Sequence, residues 1–186
     1  MFLKRDDPYL LVVGMTGVKM GDQFVQVGCA HGGRLAAVAA KVGLTGRAVV
    51  VVPDESSAAR ARKGAADAGV LVEIEIAPPT RLPVADHGFD LAVVDDTGGL
   101  IGELGAEDRA LSMRELLRVL RPGGRTLVIG AAPRVGLGGW LSRAPSGPPF
   151  AASGGAGEAL QAGGFKSVRT LAEREGLVFV EGIKPR

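Results

Sequence analysis

The chain is predicted to be one α/β domain: a mostly parallel seven-stranded sheet, helices on both faces, and a closing antiparallel hairpin. Three observations predict this. Short β-prone runs alternate with helical segments along most of the 186 residues, the pattern of parallel strands joined by crossover helices. Ala48–Val52 is an unbroken apolar run, as expected of a strand covered on both faces. The last two β-prone runs meet at Glu175-Gly176, a link that suits an antiparallel return.

Each element has a local reason. Residues 8–18 read as a short helix weakened by Gly14 and Gly17. Phe24–Val27 is a β-prone run ended by Gly28, and residues 33–42 are an alanine-rich helix closed by Gly43. Asp54 can cap a helix that runs to about Ala68 and stops at Gly69. Val70–Ile76 alternates apolar and acidic residues, as a half-buried strand does. A loop with Pro78, Pro79 and Pro83 leads to an apolar strand at Phe89–Val94. Met113, Leu116, Leu117 and Leu120 form one stripe of a helix over 106–120. Arg121-Pro122-Gly123-Gly124 stops that helix before a strand at Arg125–Ile129. A Gly/Pro-rich loop over 130–157 and a short helix near Glu158–Ala162 precede the hairpin strands Phe165–Leu171 and Leu177–Ile183. The domain is expected to span 1–186, with a short N-terminal segment at 1–20.

Composition narrows the function classes. Charges nearly balance, 22 basic against 20 acidic, which gives no electrostatic case for nucleic acid. Arg114, Arg118, Arg121 and Arg125 cluster, but read as a solvated helix face. Aromatics are 4%, too few for base-stacking platforms. No apolar run spans a bilayer, so no membrane partner is expected. The single Cys29 excludes an internal disulfide and fits a reducing compartment, so a cytoplasmic location is expected.

Phe24-Val25-Gln26-Val27-Gly28-Cys29-Ala30-His31-Gly32 resembles the first motif of class I S-adenosylmethionine-dependent methyltransferases. That motif is an apolar strand with an acid, one further apolar residue, then Gly-x-Gly-x-Gly. Leu82-Pro83-Val84 with Phe89-Asp90-Leu91 resembles the approach to the family's fourth strand. Leu116–Arg125 resembles its helix-turn-strand before strand five, and Gly164-Phe165 with the hairpin its last strands. The chain is thus identified as a member of this family, similar to its type 11-like domain. The resemblance implies a Rossmann-like methyltransferase fold and S-adenosylmethionine as cofactor. The cofactor contacts it implies are Gln26, Gly28, Cys29, Ala30, His31, Gly32, Pro53, Asp54, Asp95 and Asp96. Methyl transfer is an in-line displacement on an already activated methyl, so positioning matters most and no catalytic side chain is assigned. A dinucleotide-binding domain is the rival reading, since Gly28, Ala30 and Gly33 also fit a relaxed Gly-x-Gly/Ala-x-x-Gly turn.

Three anchors depart from the family pattern. Gln26 replaces an acid near the cofactor's ammonium end. Val52 replaces the acid that grips the ribose hydroxyls. Pro78 replaces an acid facing the adenine amine and has no N–H. A hydrogen bond to a charged group is worth about 1.5–3 kcal/mol, so the ribose acid alone accounts for roughly ten- to a hundred-fold in affinity. S-adenosylmethionine binding is therefore expected to be weakened, and lost if all three contacts go. Asp54 is the candidate to replace the ribose acid, against a plain helix N-cap. Asp95 and Asp96 stand at the end of strand four, where they can reach methionine, adenosine or substrate.

Other residues carry paired readings. His31 is a base or carboxylate contact, or simply an exposed helix start. Cys29 is a reactive thiol or a small buried residue. Asp86, His87, Asp95 and Asp96 fit no compact ligand spacing, so no metal is expected. Trp140 is a lid over substrate or an anchor for a partner, and Arg134 and Arg143 flank it. Only about twenty residues precede the first strand, too few for a helical cap. The site is thus expected to be open, closed by the 130–157 loop, or completed by a homo-oligomer or partner chain. Two functions follow: a methyltransferase acting on an unidentified small-molecule or protein acceptor, or a methyltransferase-like binding or scaffold protein without activity.

Overall fold

The computed structural model describes residues 8–133 and 149–186. Arg134, Trp140 and Arg143, with most of the 130–157 loop, lie outside the described residues.

In chain order the elements are α1 (Leu10–Thr16), β1 (Gln23–Val27), α2 (Gly32–Val42), β2 (Arg47–Val52), α3 (Glu55–Ala68) and β3 (Glu73–Ile76). They continue as β4 (Phe89–Asp95), α4 (Ala106–Val119), β5 (Leu120–Ala131), α5 (Gly155–Ala162), β6 (Lys166–Arg174) and β7 (Leu177–Ile183). The sheet order is β3-β2-β1-β4-β5-β7-β6. Strands β1 to β5 pair in parallel, and β7 inserts antiparallel between β5 and β6. The chain runs outward from β1 to β3, then crosses to β4 on β1's other side. That crossing is a reversal of strand order, and α/β folds bind ligands at the carboxyl ends of the strands that flank it.

Two cores cover the sheet. Phe24, Val50, Val52, Leu91, Val93, Leu127 and Ile129 pack against Val12, Leu35, Val38, Val42, Ala58 and Ala61 of the first three helices. On the other face Val25, Val27, Val49, Val94 and Val128 meet Met113, Leu116, Ala156 and Leu160 of α4 and α5. The predicted α4 stripe therefore faces the core, with Leu117 at its half-buried margin.

Three boundaries differ from expectation. β3 starts at Glu73 rather than Val70, because the α3 C-cap consumes the intervening chain. Gly69 is left-handed, and the Gly69 and Val70 N–H groups donate to the Ala66 and Ala65 carbonyls. β5 begins at Leu120, opposite Phe89, and resumes at Arg125 opposite Leu91, so the Arg-Pro-Gly-Gly turn is an irregularity inside the strand. The Gly123 N–H donates to the Lys184 carbonyl, and the Lys184 N–H to the Gly124 carbonyl, which ties that turn to the chain end. α5 starts at Gly155, inside the expected loop, because Ala156 and Leu160 have a buried face to fill.

The arginine cluster is not a solvated face. Arg118 pairs with Glu115 and Asp86 and donates to the Leu82 and Val84 carbonyls, so it staples the loop before β4 onto α4. Arg121 pairs with Asp90, and Arg125 shares the buried Glu181 with Arg169. Arg114 alone of the four is fully on the surface without such a pair among the described residues.

Thr126 carries the one buried side-chain polar atom without a hydrogen-bond partner among the described residues. A buried hydroxyl left unpaired costs about 1–3 kcal/mol. Thr126→Val is expected to raise the thermal midpoint by roughly 2–4 °C for each kcal/mol recovered. Calorimetric unfolding checks this, and a lower midpoint contradicts the assignment.

Candidate functional site

The site is built at the reversal between β1 and β4. Gly28 ends β1 at φ +83°, a conformation suited to glycine. Its N–H donates to the Val51 carbonyl at 2.8 Å. A Cβ there would lie 2.7 Å from Leu100 Cδ2 and 2.9 Å from the Asp95 carbonyl oxygen. Only a bare backbone passes so close to the end of β4.

The turn after Gly28 is pinned from several sides. Gln26 is buried, and its Nε2 donates to the Gly28 carbonyl at 2.8 Å. Asp95 Oδ2 accepts the Ala30 N–H at 2.9 Å, and Asp95 Oδ1 accepts Thr97 Oγ1 at 2.6 Å. Arg60 of α3 donates to the Cys29 carbonyl. Gly32 is buried against α3: a Cβ would lie 2.4 Å from the Arg60 carbonyl oxygen, and Gly64 meets Gly32 as closely from the other side.

A pocket of about 250 Å³ opens above this turn, lined by Gly28, Cys29, Ala30, Pro53, Asp54, Ser57, Arg60, Asp95, Gly98 and Leu100. Six of the residues nominated from sequence meet there: Gly28, Cys29, Ala30, Pro53, Asp54 and Asp95. Gln26, His31, Gly32 and Asp96 do not line it. Gln26 and Gly32 shape the turn from below. His31 is exposed at the N-cap of α2 without a side-chain cap bond, and its ring lies 5.5 Å from that of Tyr9. Asp96 is buried and spends Oδ1 on the Ile101 N–H (2.6 Å) and the Gly102 N–H (3.0 Å) of its own loop. Burial pushes its carboxyl above the usual range, against those bonds.

Asp54 is both cap and pocket lip. Its Oδ1 accepts the Ser57 N–H at 2.8 Å and the Ser56 hydroxyl at 2.9 Å. These bonds, the Ser57 N–H first, hold its carboxyl below the usual range. A carboxylate offers about four acceptor positions, so capping leaves capacity for a ligand hydroxyl. Val52, at the place of the usual ribose acid, is fully buried among Cys29, Leu35 and Ala58. Pro78 is exposed at the end of β3, and the neighbouring Ala77 N–H donates to the Val52 carbonyl.

Asp86 is paired with Arg118, and His87 lies beside Lys184 Nζ, at the opposite end of β4 from Asp95 and Asp96. Among the described residues no three His, Cys, Asp or Glu side chains gather as a metal-binding set. No helix there is long and apolar enough to cross a membrane. Sequence reasoning missed Ser57, Arg60, Gly98 and Leu100. Only Ser57 had a visible signal, three residues after the expected cap, because the other three arrive by long-range packing.

With this geometry in hand, the comparisons are decisive for family. The family described as "Methyltransferase domain" matches residues 25–128, more than half of the chain. The chain belongs to that family. It is 30% identical over 119 residues to the ubiquinone/menaquinone biosynthesis C-methyltransferase UbiE of Pseudomonas entomophila, a match covering 63% of this chain and 44% of that relative. The chain therefore spans less than half the length of the curated relatives it matches. Among solved structures, a SAM-dependent methyltransferase from Aquifex aeolicus superposes with a TM-score of 0.72 at 19% identity, covering 95% of this chain and 89% of the other. A chain described as part of a "Complex between the Haloferax volcanii Trm112 methyltransferase activator and the putative methyltransferase" gives 0.67 at 17% identity, covering 95% of this chain and 87% of the other. These two likenesses speak for the fold. The strand order, the antiparallel β7 and the family match settle the rivalry with a dinucleotide-binding domain. S-adenosylmethionine is the cofactor of the family, and the donor set fits it. The Gly28–Ala30 turn opens on the pocket, and Asp54 offers an acceptor at its lip.

Cys29 is 3% exposed, and burial pushes its thiol up to about 11. Thiolate is the reactive form. The folded chain is therefore expected to resist iodoacetamide at pH 8 and to be alkylated at Cys29 on unfolding. Rapid labelling of the folded chain, read by mass spectrometry, would contradict the buried reading.

Proposed function

We propose that this chain binds S-adenosylmethionine over the Gly28–Ala30 turn and transfers its methyl group to a small-molecule or protein acceptor. The observation that carries this is the convergence of the bare turn with Asp54, Ser57, Arg60 and Asp95 around one pocket at the β1–β4 reversal. Larger grooves lie elsewhere, the most apolar of them about 600 Å³ at the far ends of β2 and β3. Its two charged side chains, Arg47 and Glu73, are paired with each other. It offers no other charged group to orient a ligand, as binding pockets do.

When bound, the cofactor supplies an activated methyl and its own leaving group. The residues here bind and orient. Gly28 lets the turn pass against the end of β4, which shapes the floor of the pocket. Asp54 accepts from the ribose in place of the acid lost at Val52. Pro53 and Leu100 supply apolar walls. At about 250 Å³ the pocket lies just below the usual ligand-site range, which starts at about 300 Å³, so it is sized for the nucleoside part of the cofactor rather than the whole. The amino-acid end then lies toward the end of β4, and the acceptor approaches over that side.

The relatives' names support transfer to a carbon atom as the first chemistry to assay. The single buried thiol supports a reducing, cytoplasmic setting. The scaffold alternative draws no support from either the family match or the pocket.

Titration calorimetry with S-adenosylhomocysteine tests the reading. Asp54→Asn is the sharper variant, because asparagine caps a helix as well as aspartate. It is expected to leave the melting midpoint unchanged and to weaken binding by about ten-fold or more. Unchanged affinity in Asp54→Asn would remove Asp54 from the site.

A further inference from the structure

One face of α3 brings both signs of charge to the pocket. Asp54 stands at the helix N-cap, Ser57 three residues on and Arg60 three further, and all three line the pocket. Residues three and four apart share a helix face. Gly64, four beyond Arg60, continues that face and packs on Gly32, where a Cβ would lie 2.4 Å from the Gly32 carbonyl oxygen. The helix is thus pressed onto the start of α2. Arg60 is fastened a second time through its side chain, whose Nη1 donates to the Cys29 carbonyl at 2.5 Å.

Arg60 differs from the carboxylate at the other side of the pocket. Asp95 is occupied by the Ala30 N–H, the Thr97 hydroxyl and Arg34. Arg60 has no carboxylate partner among the described residues. Its bond goes to a neutral carbonyl and uses one nitrogen of a guanidinium that carries five N–H donors. Asp54 likewise keeps acceptor capacity, because both of its capping bonds fall on Oδ1. Asp54 and Arg60 do not pair with each other, so a ligand group can sit between them. An anion there would meet Asp54 and a cation would meet Arg60. A neutral group that both donates and accepts satisfies the two together, and a vicinal diol is such a group.

We propose that Arg60 shares the reading of the ribose with Asp54: one ribose hydroxyl donates to the Asp54 carboxylate, and the oxygen of the other accepts from the Arg60 guanidinium. This rests on the cofactor reading of the pocket. A single acid at position 52 would accept from both hydroxyls, and Val52 leaves neither served. Here two groups of opposite sense from one helix take one hydroxyl each. A site built around a ligand hydroxyl rejects the analogue that lacks it, because the group facing it is left unpaired.

The test uses S-adenosylhomocysteine and its 2′-deoxy and 3′-deoxy analogues, titrated by calorimetry into the wild-type chain, Arg60→Met, Arg60→Lys and Asp54→Asn. The wild-type chain is expected to bind each deoxy analogue about ten-fold or more weakly than the parent. Arg60→Met keeps the side-chain length but cannot donate. It is expected to weaken the parent by about ten-fold and to bind one deoxy analogue within about two-fold of it. Asp54→Asn is expected to lose its preference over the other analogue. Arg60→Lys, which keeps a charged donor, is expected to recover part of the loss and serves as the comparison if the methionine variant does not fold. Weakening of all three ligands by the same factor in Arg60→Met would reduce Arg60 to a brace for the Cys29 turn and overturn the inference. Loss of preference over the same analogue in both variants would also overturn it. A wild-type chain that binds the parent and both analogues equally would overturn it while sparing the pocket. Binding of none of the three by the wild-type chain would overturn the cofactor reading and this inference with it.

Discussion

The approach of the Gly28 turn to the end of β4 constrains everything above the sheet. The Gly28 N–H is held by β2, and its Cα passes so near Leu100 and the Asp95 carbonyl that a single methyl would collide. The turn consequently has one course, which Asp95 fixes at Ala30 and Gln26 fixes at Gly28. The pocket and the start of α2 both follow from that course.

The same constraint explains how the chain departs from its family. A carboxylate at position 52 would have to share a fully buried site with Leu35, Ala58 and Cys29, where an ionised group is costly. Valine fills that space and joins α2 and α3 to the sheet. The proposed acceptor, Asp54, stands two residues on, where capping bonds already stabilise the charge. Likewise Gln26 exchanges a charge aimed at a ligand for a bond that braces the turn. In the proposed reading polar groups have shifted from gripping a ligand to shaping the backbone, and Asp54 and Arg60 remain at the pocket wall.

The sequence made the fold legible because its punctuation is strong. Gly28, Gly43 and Gly69 each end an element where a turn requires one, and the α4 stripe repeats at helical spacing. Pro78, Pro79 and Pro83 mark the loop between β3 and β4. What escaped were interactions made at long range. Arg118 looked like surface because its partners Asp86, Leu82 and Val84 stand more than thirty residues away. Arg34 and Thr97 are separated by 63 positions and meet only because β1 and β4 are neighbours. Asp95 and Asp96 look alike in sequence, yet pleating sends one to the turn and the other into its own loop.

The most direct test is where a nucleoside lands. Backbone amide shifts of the labelled chain, followed by NMR during titration with S-adenosylhomocysteine, report this residue by residue. The account predicts the largest changes at Gly28–Ala30, Asp54–Ser57 and Gly98–Leu100, around the pocket at the β1–β4 reversal. Saturating changes confined to the groove around Leu44 and Leu71, or no changes at millimolar ligand, would contradict it.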